Sequence, residues 1–328
     1  MKNYIPTGPA CFYVNDPAVA VDRERFARDV ERLSQWLDWA DAVVVGLGLG
    51  MSAASAGTCA SAASACDDAS LDDDFDRIFA PFIEKHGITS LADGFNHLYS
   101  SNEEEWAYLA SYITYVLDRP VAQPYLDLAA LLEGKPATVL TTNTDCQAAK
   151  AFDEEHVFEF QGSLAYLQCG QPCGDELYDA RDPMRRIADE LGPDLRCPEE
   201  LLPRCPYCYR LMRPWVRDSI FLEGPRWRFA RERYEAFLRR HLLGDGDEGR
   251  GAAGDGEKNV LFLELGVGDM APAIIKMPFW QMTRNNPNAR LCVVNASKDE
   301  ASAYLDDRAM AVAGNVGEAL SLLRALRG

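Results

Sequence analysis

Short apolar runs rich in β-branched and aromatic residues recur along the chain, each running within three residues into Gly, Asn, Gln or Ser. They are Ala42–Val45 (AVVV), Ala137–Leu140 (ATVL), Val157–Phe160 (VFEF), Val260–Leu265 (VLFLEL) and Leu291–Val294 (LCVV), with Ala309–Ala313 a weaker sixth. Runs of this length without polar alternation are the pattern of strands buried on both faces. Helical periodicity lies between them: Val21–Trp39 sets Phe26, Val30, Leu33 and Leu37 on one face. Strands alternating with helices predict an α/β fold, a doubly wound parallel sheet of Rossmann-like type. Ligands of such a sheet bind at the carboxyl ends of its strands.

Three segments break the alternation. Ala53–Asp76 is rich in Ala, Ser, Cys and Asp and reads as a flexible loop; residues 244–257 (GDGDEGRGAAGDGE) read as a disordered connector. Residues 164–214 hold close cysteine pairs and many prolines and read as a small inserted module. Between 77 and 133, Phe79, Phe82, Ile83, Trp106, Leu109, Ile113 and Val116 recur at helical spacing, predicting a helical cap. The expected division is a Rossmann-like domain over 1–163 (with the cap), the module over 164–214, and the rest of the Rossmann-like domain over 215–328. No internal repeat is visible.

Composition narrows the classes. The 328 residues are 48% hydrophobic and 26% charged, as in an ordinary globular protein, and the formal net charge of −18 argues against nucleic-acid or anionic membrane partners. The first residues, MKNYIPTGPACFYV, have no basic stretch leading into an apolar core, and no apolar run reaches membrane-spanning length. These features, with ten cysteines of which six (Cys11, Cys59, Cys66, Cys146, Cys197, Cys292) are scattered, suggest reduced thiols and a cytoplasmic location.

The strand ends carry the candidate chemistry. After the first strand, Gly48, Gly50 and Ala53 fit G-x-G-x-x-G/A, a turn that brings backbone N–H groups and a helix N-terminus to a pyrophosphate. Ser52 can donate a hydroxyl or cap that helix. The same stretch also fits a glycine-rich turn that binds nothing. The acidic residue expected about twenty positions on, at a second strand end, is missing; Asp67 and Asp68 fall in the loop instead. The second strand ends in Thr141-Thr142-Asn143-Thr144-Asp145, where an amide and a carboxylate two residues apart share one side of an extended segment. They suit a ribose, a water or positive charge developing at a sugar carbon; an Asx turn closing the loop is the plainer alternative. Gln161 opens the turn after VFEF, Gly266 and Gly268 follow VLFLEL, and Asn295 and Ser297 follow LCVV. Five polar strand ends on one sheet edge point to a shared ligand.

Cys169-x3-Cys173 and Cys205-Pro-Tyr-Cys208 supply four thiolates in two knuckles, which suits a structural, tetrahedral Zn²⁺ with no open position; Cys197 is a stray competitor, and unpaired buried thiols are the alternative. His86, His97, His156 and His241 pair with no Ser or Cys, and the run PFWQM (Pro278–Met282) reads as core or as a substrate-facing aromatic patch.

In this order, Gly48-x-Gly50-x-Ser52, Thr141-x-Asn143-x-Asp145, Gly162-Ser163, two Cys pairs, Gly266-x-Gly268 and Asn295-x-Ser297 resemble the sirtuins over nearly the whole chain. TTNTDCQ, FQGSLAYLQC, LLPRCPYC and LFLELGVGDMAPAIIKMPFWQMT are most similar to the microbial macrodomain-linked class, class M. The resemblance implies an NAD-binding domain with a small zinc-ribbon module. It places Gly48, Gly50 and Ser52 at the phosphates, Thr142, Asn143 and Asp145 at the nicotinamide ribose, Gly266 and Gly268 in a further NAD-contacting loop, and Asn295 on the adenosine side. The chain departs from common sirtuins in reading Gly-Leu-Gly for Gly-Ala-Gly, and in replacing the arginine-bearing segment that follows with the Ala/Ser/Asp loop.

Gln161 stands where common sirtuins have a histidine, the base that takes a ribose proton during deacylation. An amide has no pKa in the working range and cannot take that proton. Releasing nicotinamide needs positioning and a polar cage rather than that base. The expected activity is therefore protein mono-ADP-ribosylation from NAD. Gln161 would bond the nicotinamide ribose, Asn143 would orient the sugar and a water, and Asp145 would stabilise developing positive charge or hold the carboxamide. By resemblance the acceptor is a lipoylated carrier protein of the glycine-cleavage type and the functional partner a macrodomain hydrolase. A deacylase with a substitute base and an inactive NAD-binding module are the alternatives.

Overall fold

The computed structural model describes residues 21–54, 75–243, 258–268, 272–296 and 305–328. The connector 244–257, nearly all of the expected loop after Ala53, Asp67, Asp68 and Ser297 lie outside them, as do Cys11, Cys59 and Cys66.

The chain opens with α1 (Arg23–Trp39), capped by the Asp22 carboxylate on the N–H groups of Glu24 and Arg25. β1 (Ala42–Leu47) and the short α2 (Leu49–Ala54) follow, then α3 (Phe75–Ile78), α4 (Ala80–His86), α5 (Leu91–Asn96), α6 (Asn102–Asp118) and α7 (Gln123–Leu132). β2 (Ala137–Thr141), α8 (Gln147–Ala151) and β3 (Val157–Glu159) lead into β4 (Gly162–Cys169), β5 (Tyr178–Asp179), α9 (Arg181–Asp189) and β6 (Met212–Val216). The remainder is α10 (Pro225–Leu238), β7 (Val260–Leu265), α11 (Lys276–Asn285), β8 (Ala289–Asn295), β9 (Ala309–Ala313) and α12 (Val316–Arg327).

All six expected strands form one parallel sheet in the order β3-β2-β1-β7-β8-β9. Alternate residues of each strand feed two cores. Val43, Val45 and Leu47 enter one with Tyr125 and Leu128 of α7, Leu33 of α1 and Leu320 of α12. Val44, Leu140 and Phe262 enter the other with Trp227 of α10 and Phe279 of α11. Helices on both faces account for the unbroken apolar runs, since neither face of the sheet meets water. PFWQM is mainly core: Phe279 is fully buried, and a Cβ at Gly46 would lie 2.9 Å from its ring.

A second, antiparallel sheet in the order β5-β4-β6 lies over the stretch expected to be an inserted module. It runs slightly wider than the cysteine and proline pattern suggests, because β4 starts at Gly162, directly after the end of the parallel sheet, and β6 runs to Val216. The cap divides. α7 joins the main sheet, whereas Phe79, Phe82, Trp106, Leu109, Ile113 and Val116 share a third core with Leu164, Leu167, Met184, Ile187 and Met212 of the module. Cys197 is buried in that shared core. Among the described residues no helix is long and apolar enough to cross a membrane.

Candidate active site and metal centre

The sheet order sets the site. From β1 the chain moves outward through β2 and β3 on one side, and from β7 through β8 and β9 on the other. The connections after β1 and β7 therefore part in opposite directions and leave a crevice at the switch point. Two glycine turns meet there. Gly48 N–H donates to Leu265 O (3.1 Å) and Gly50 N–H to Gly266 O (2.8 Å). A Cβ at Gly50 would lie 2.7 Å from Gly266 Cα, and one at Gly266, whose φ is +62°, 2.4 Å from the Gly50 carbonyl carbon. These glycines first serve to let two backbones touch, and the N–H groups of Gly48, Gly50 and Gly266 are already committed within the protein. Gly268, farther along the second turn, is exposed with open space about it.

The end of β2 is tied to the same place. Thr142 N–H and hydroxyl both donate to Leu47 O (3.0 and 3.2 Å). Asn143, 8% exposed, donates its backbone N–H to Thr141 Oγ1 (3.0 Å) and donates through Nδ2 to Gly48 O (2.9 Å) and to the Tyr125 hydroxyl (3.2 Å). Asp145, 5% exposed, accepts from the Ser52 hydroxyl, from Tyr125 (3.4 Å) and from Gln147 N–H (3.0 Å). The last bond is the Asx-type turn that the sequence also allowed, made possible by Cys146 in the left-handed region at φ 63°. Asp145 thus closes its loop and joins the buried network. Burial raises the Asp145 pKa, while the bonds from Ser52, Gln147 and Tyr125 pull it down. Ser52 lies inside α2 and spends its hydroxyl on Asp145 rather than on a cap.

Gln161 follows β3 and is half-buried, and its side-chain amide makes no hydrogen bond among the described residues. Its backbone is firmly held. Arg217 N–H donates to Gln161 O (2.8 Å), and the Arg217 Nε and Nη2 and the Trp227 Nε1 all donate to Phe160 O at 3.1–3.2 Å. The Arg217 guanidinium lies over the rings of Phe160, Phe221 and Trp227. Asn295, at the end of β8, holds Val267 O through Nδ2 (3.0 Å) and so braces the second glycine turn.

Sequence reasoning missed Tyr125, Arg217 and Glu159. The first reads as one more core position of a helix, and Arg217 lies outside every motif. Glu159, 8% exposed and two residues before Gln161, is pushed up to about 7 by burial, against a Ser163 hydrogen bond and the nearby Arg226. Beside it the Cys146 thiol contacts Ser163 Oγ (3.3 Å) and is pushed up to about 12 by burial and by Glu159. No histidine joins this network among the described residues: His86 and His97 pack with Tyr99 on the cap, and His241 packs against Phe237.

In the module the sulfurs of Cys169, Cys173, Cys205 and Cys208 all lie within 4.8 Å of one another, with Cys169–Cys208 and Cys173–Cys205 each at 3.5 Å. Zinc–sulfur bonds of about 2.3 Å in a tetrahedron set the sulfurs about 3.8 Å apart, so the four residues fit structural zinc. Cys197 is not part of the cluster.

A protein ADP-ribosyltransferase of Staphylococcus aureus is 33% identical to this chain over 282 residues, which cover 85% of this chain and 81% of that protein. The structural neighbours are sirtuins. The chain belongs to the sirtuin family. Among these sirtuins, one solved to explain sirtuin substrate affinity superposes with a TM-score of 0.56 at 20% identity, over 91% of this chain and 99% of that one. A Sir2 complex with a p53 peptide and NAD⁺ superposes at 0.55 and 19% identity, over 91% and 98%. A probable bifunctional ADP-ribose hydrolase/ADP-ribosyltransferase of Fusarium oxysporum f. sp. cubense is 27% identical over 303 residues; these cover 88% of this sirtuin but only 46% of that protein. No family model matches the chain.

Proposed function

We propose that this sirtuin is an NAD⁺-dependent protein mono-ADP-ribosyltransferase. The observation that carries the reading is Gln161, a non-titrating amide held by its backbone at the strand end beside the Asn143–Asp145 network. Bound NAD⁺ would supply the ADP-ribose, with nicotinamide as the leaving group that keeps the bonding electron pair. The residues then divide the work. The turns at Gly48, Gly50, Gly266 and Gly268 line the phosphate side, Thr142 fixes the second strand end, and Asn295 braces the adenosine side. Asn143 and Gln161 hold ribose hydroxyls or a water. Asp145 sets negative charge near the sugar carbon, where positive charge develops as the glycosidic bond breaks. Ser52 supports Asp145. The same named activity in the S. aureus relative supports the reaction type.

We further infer a lipoylated carrier protein as acceptor and a macrodomain hydrolase as the enzyme that reverses the mark, as in class M; the hydrolase joined to a transferase in the Fusarium relative is in keeping with this pairing. The division at 1–163, 164–214 and 215–328 is our working partition. The four-thiolate centre and the free thiols of the described cysteines agree with a reducing compartment, the cytoplasm.

One observation favours a second reading. Glu159, with its pKa near 7, is a carboxyl of base-like pKa close to Gln161 and would be the substitute base of a deacylase. Incubating the zinc-loaded full chain with adenylate-labelled NAD⁺, a lipoylated carrier and an acyl-lysine peptide separates the two. Label on the carrier with an unchanged peptide is the expected result. Deacylated peptide without label on protein would replace the first reading by the second.

A further inference from the structure

We infer that Tyr125, fully buried on α7, is a positioning residue of the transfer reaction: its hydroxyl ties the Asn143 amide to the Asp145 carboxylate, so that Asn143 meets the substrate as a hydrogen-bond acceptor and Asp145 meets it as a carboxylate. The inference rests on the function proposed above and deepens it.

The argument is a count of hydrogens. A carboxamide nitrogen has two. In Asn143 one goes to Gly48 O (2.9 Å) and the other to the Tyr125 oxygen (3.2 Å). Only Oδ1 is left to face a ligand, and it accepts. Asn143 so held can take a hydrogen bond from a ribose hydroxyl or a water, and it cannot donate to a phosphate or a carboxamide oxygen. The Tyr125 hydroxyl has one hydrogen. Accepting from Asn143 turns that hydrogen toward Asp145 Oδ2, across a long 3.4 Å bond. A tyrosine thus fixes which way round the asparagine amide stands.

The same hydroxyl bears on the charge of Asp145. Three donors face that carboxylate, from three elements: Tyr125 of α7, Ser52 of α2 and the Gln147 N–H of α8. Lys150 of α8 adds a more distant positive charge. Against them stand burial, Glu159 of β3 and the Cys146 thiol at the start of α8. Burial is the largest of these effects and raises the Asp145 pKa, so loss of one donor moves Asp145 further toward its neutral form, which offers less to a positively charged transition state.

Tyr125→Phe keeps the ring, which packs in the core, and removes only the hydroxyl. In the zinc-loaded full chain, kcat for nicotinamide release should fall by about tenfold or more, the expected size for a lost bond to a charged group. The KM for NAD⁺ should change by less than about threefold, because the lost interaction acts on the transition state. The acid limb of the kcat–pH profile should move to higher pH. Site-specific 3-fluorotyrosine at position 125, a stronger donor of nearly the same shape, should move that limb to lower pH, and it carries the test if Y125F fails to fold. A purely structural tyrosine would lower the melting temperature and leave the limb in place. An active wild-type protein whose acid limb stays put in these variants overturns the inference alone. A wild-type protein that releases no nicotinamide from NAD⁺ overturns the proposed function and this inference with it.

Discussion

One methyl group at Gly50 would sit 2.7 Å from Gly266 Cα, inside any real carbon–carbon contact, and the obstacle is backbone that cannot rotate away. Gly50→Ala should therefore cost about 1–3 kcal/mol as overpacking, seen as a lower urea midpoint, and should weaken NAD⁺ binding by calorimetry more than it weakens the fold, because it forces apart the two turns that form the crevice. Glu159 gives a second residue-scale outcome. Its folded carboxyl holds a proton up to about pH 7, whereas an ordinary glutamate releases it near 4.5. The stability it contributes is fully present below about 4.5 and is lost as the pH rises through about 7. Glu159→Gln keeps a neutral group throughout, so between pH 5 and pH 8 its urea midpoint should fall less than that of the wild type. Equal falls would remove the argument for a buried, proton-holding carboxyl.

At the scale of elements, the cysteine module and the cap stand or fall together. Leu164, Leu167 and Met212 of the module's strands and Trp106, Leu109 and Ile113 of α6 fill one core, and Arg196 of the module pairs with Glu104 of the cap across the join. Zinc binding is then folding free energy for more than its own knuckles. Stripping the metal with a chelator should raise amide exchange in α6 as well as in β4 and β6, and leave α1, α12 and the parallel sheet protected. If exchange rises only between Cys169 and Cys208, the shared core is not a cooperative unit. β4 also begins directly after Gln161, so the module's sheet holds the residue on which the proposed reaction rests.

Across the whole molecule, a formal charge of −18 repels polyanions at long range, while the crevice offers its polar groups only at contact distance. Double-stranded DNA should show no anisotropy change with the protein at physiological salt, and salt-sensitive binding there would contradict the reading of the surface. Much of this was legible without coordinates. Unbroken apolar runs give parallel strands because only strands covered on both sides need them, and close cysteine pairs give a metal knuckle because local spacing alone brings those sulfurs near. The motif residues at the strand ends were legible for the same reason: a doubly wound sheet gathers such ends on one edge. Their bonding was not. That Gly50 spends its N–H on Gly266, that Ser52 serves Asp145, and that Tyr125 sets the Asn143 amide depend on contacts between residues up to about two hundred positions apart. Burial pulled Glu159 away from the ordinary glutamate, and no single letter of sequence carries burial. The sequence by itself determined the sheet, the thiolate centre and the cast of polar residues, because each follows from local pattern; the tertiary structure alone decided which hydrogen goes to which oxygen, because that is settled by packing between distant segments.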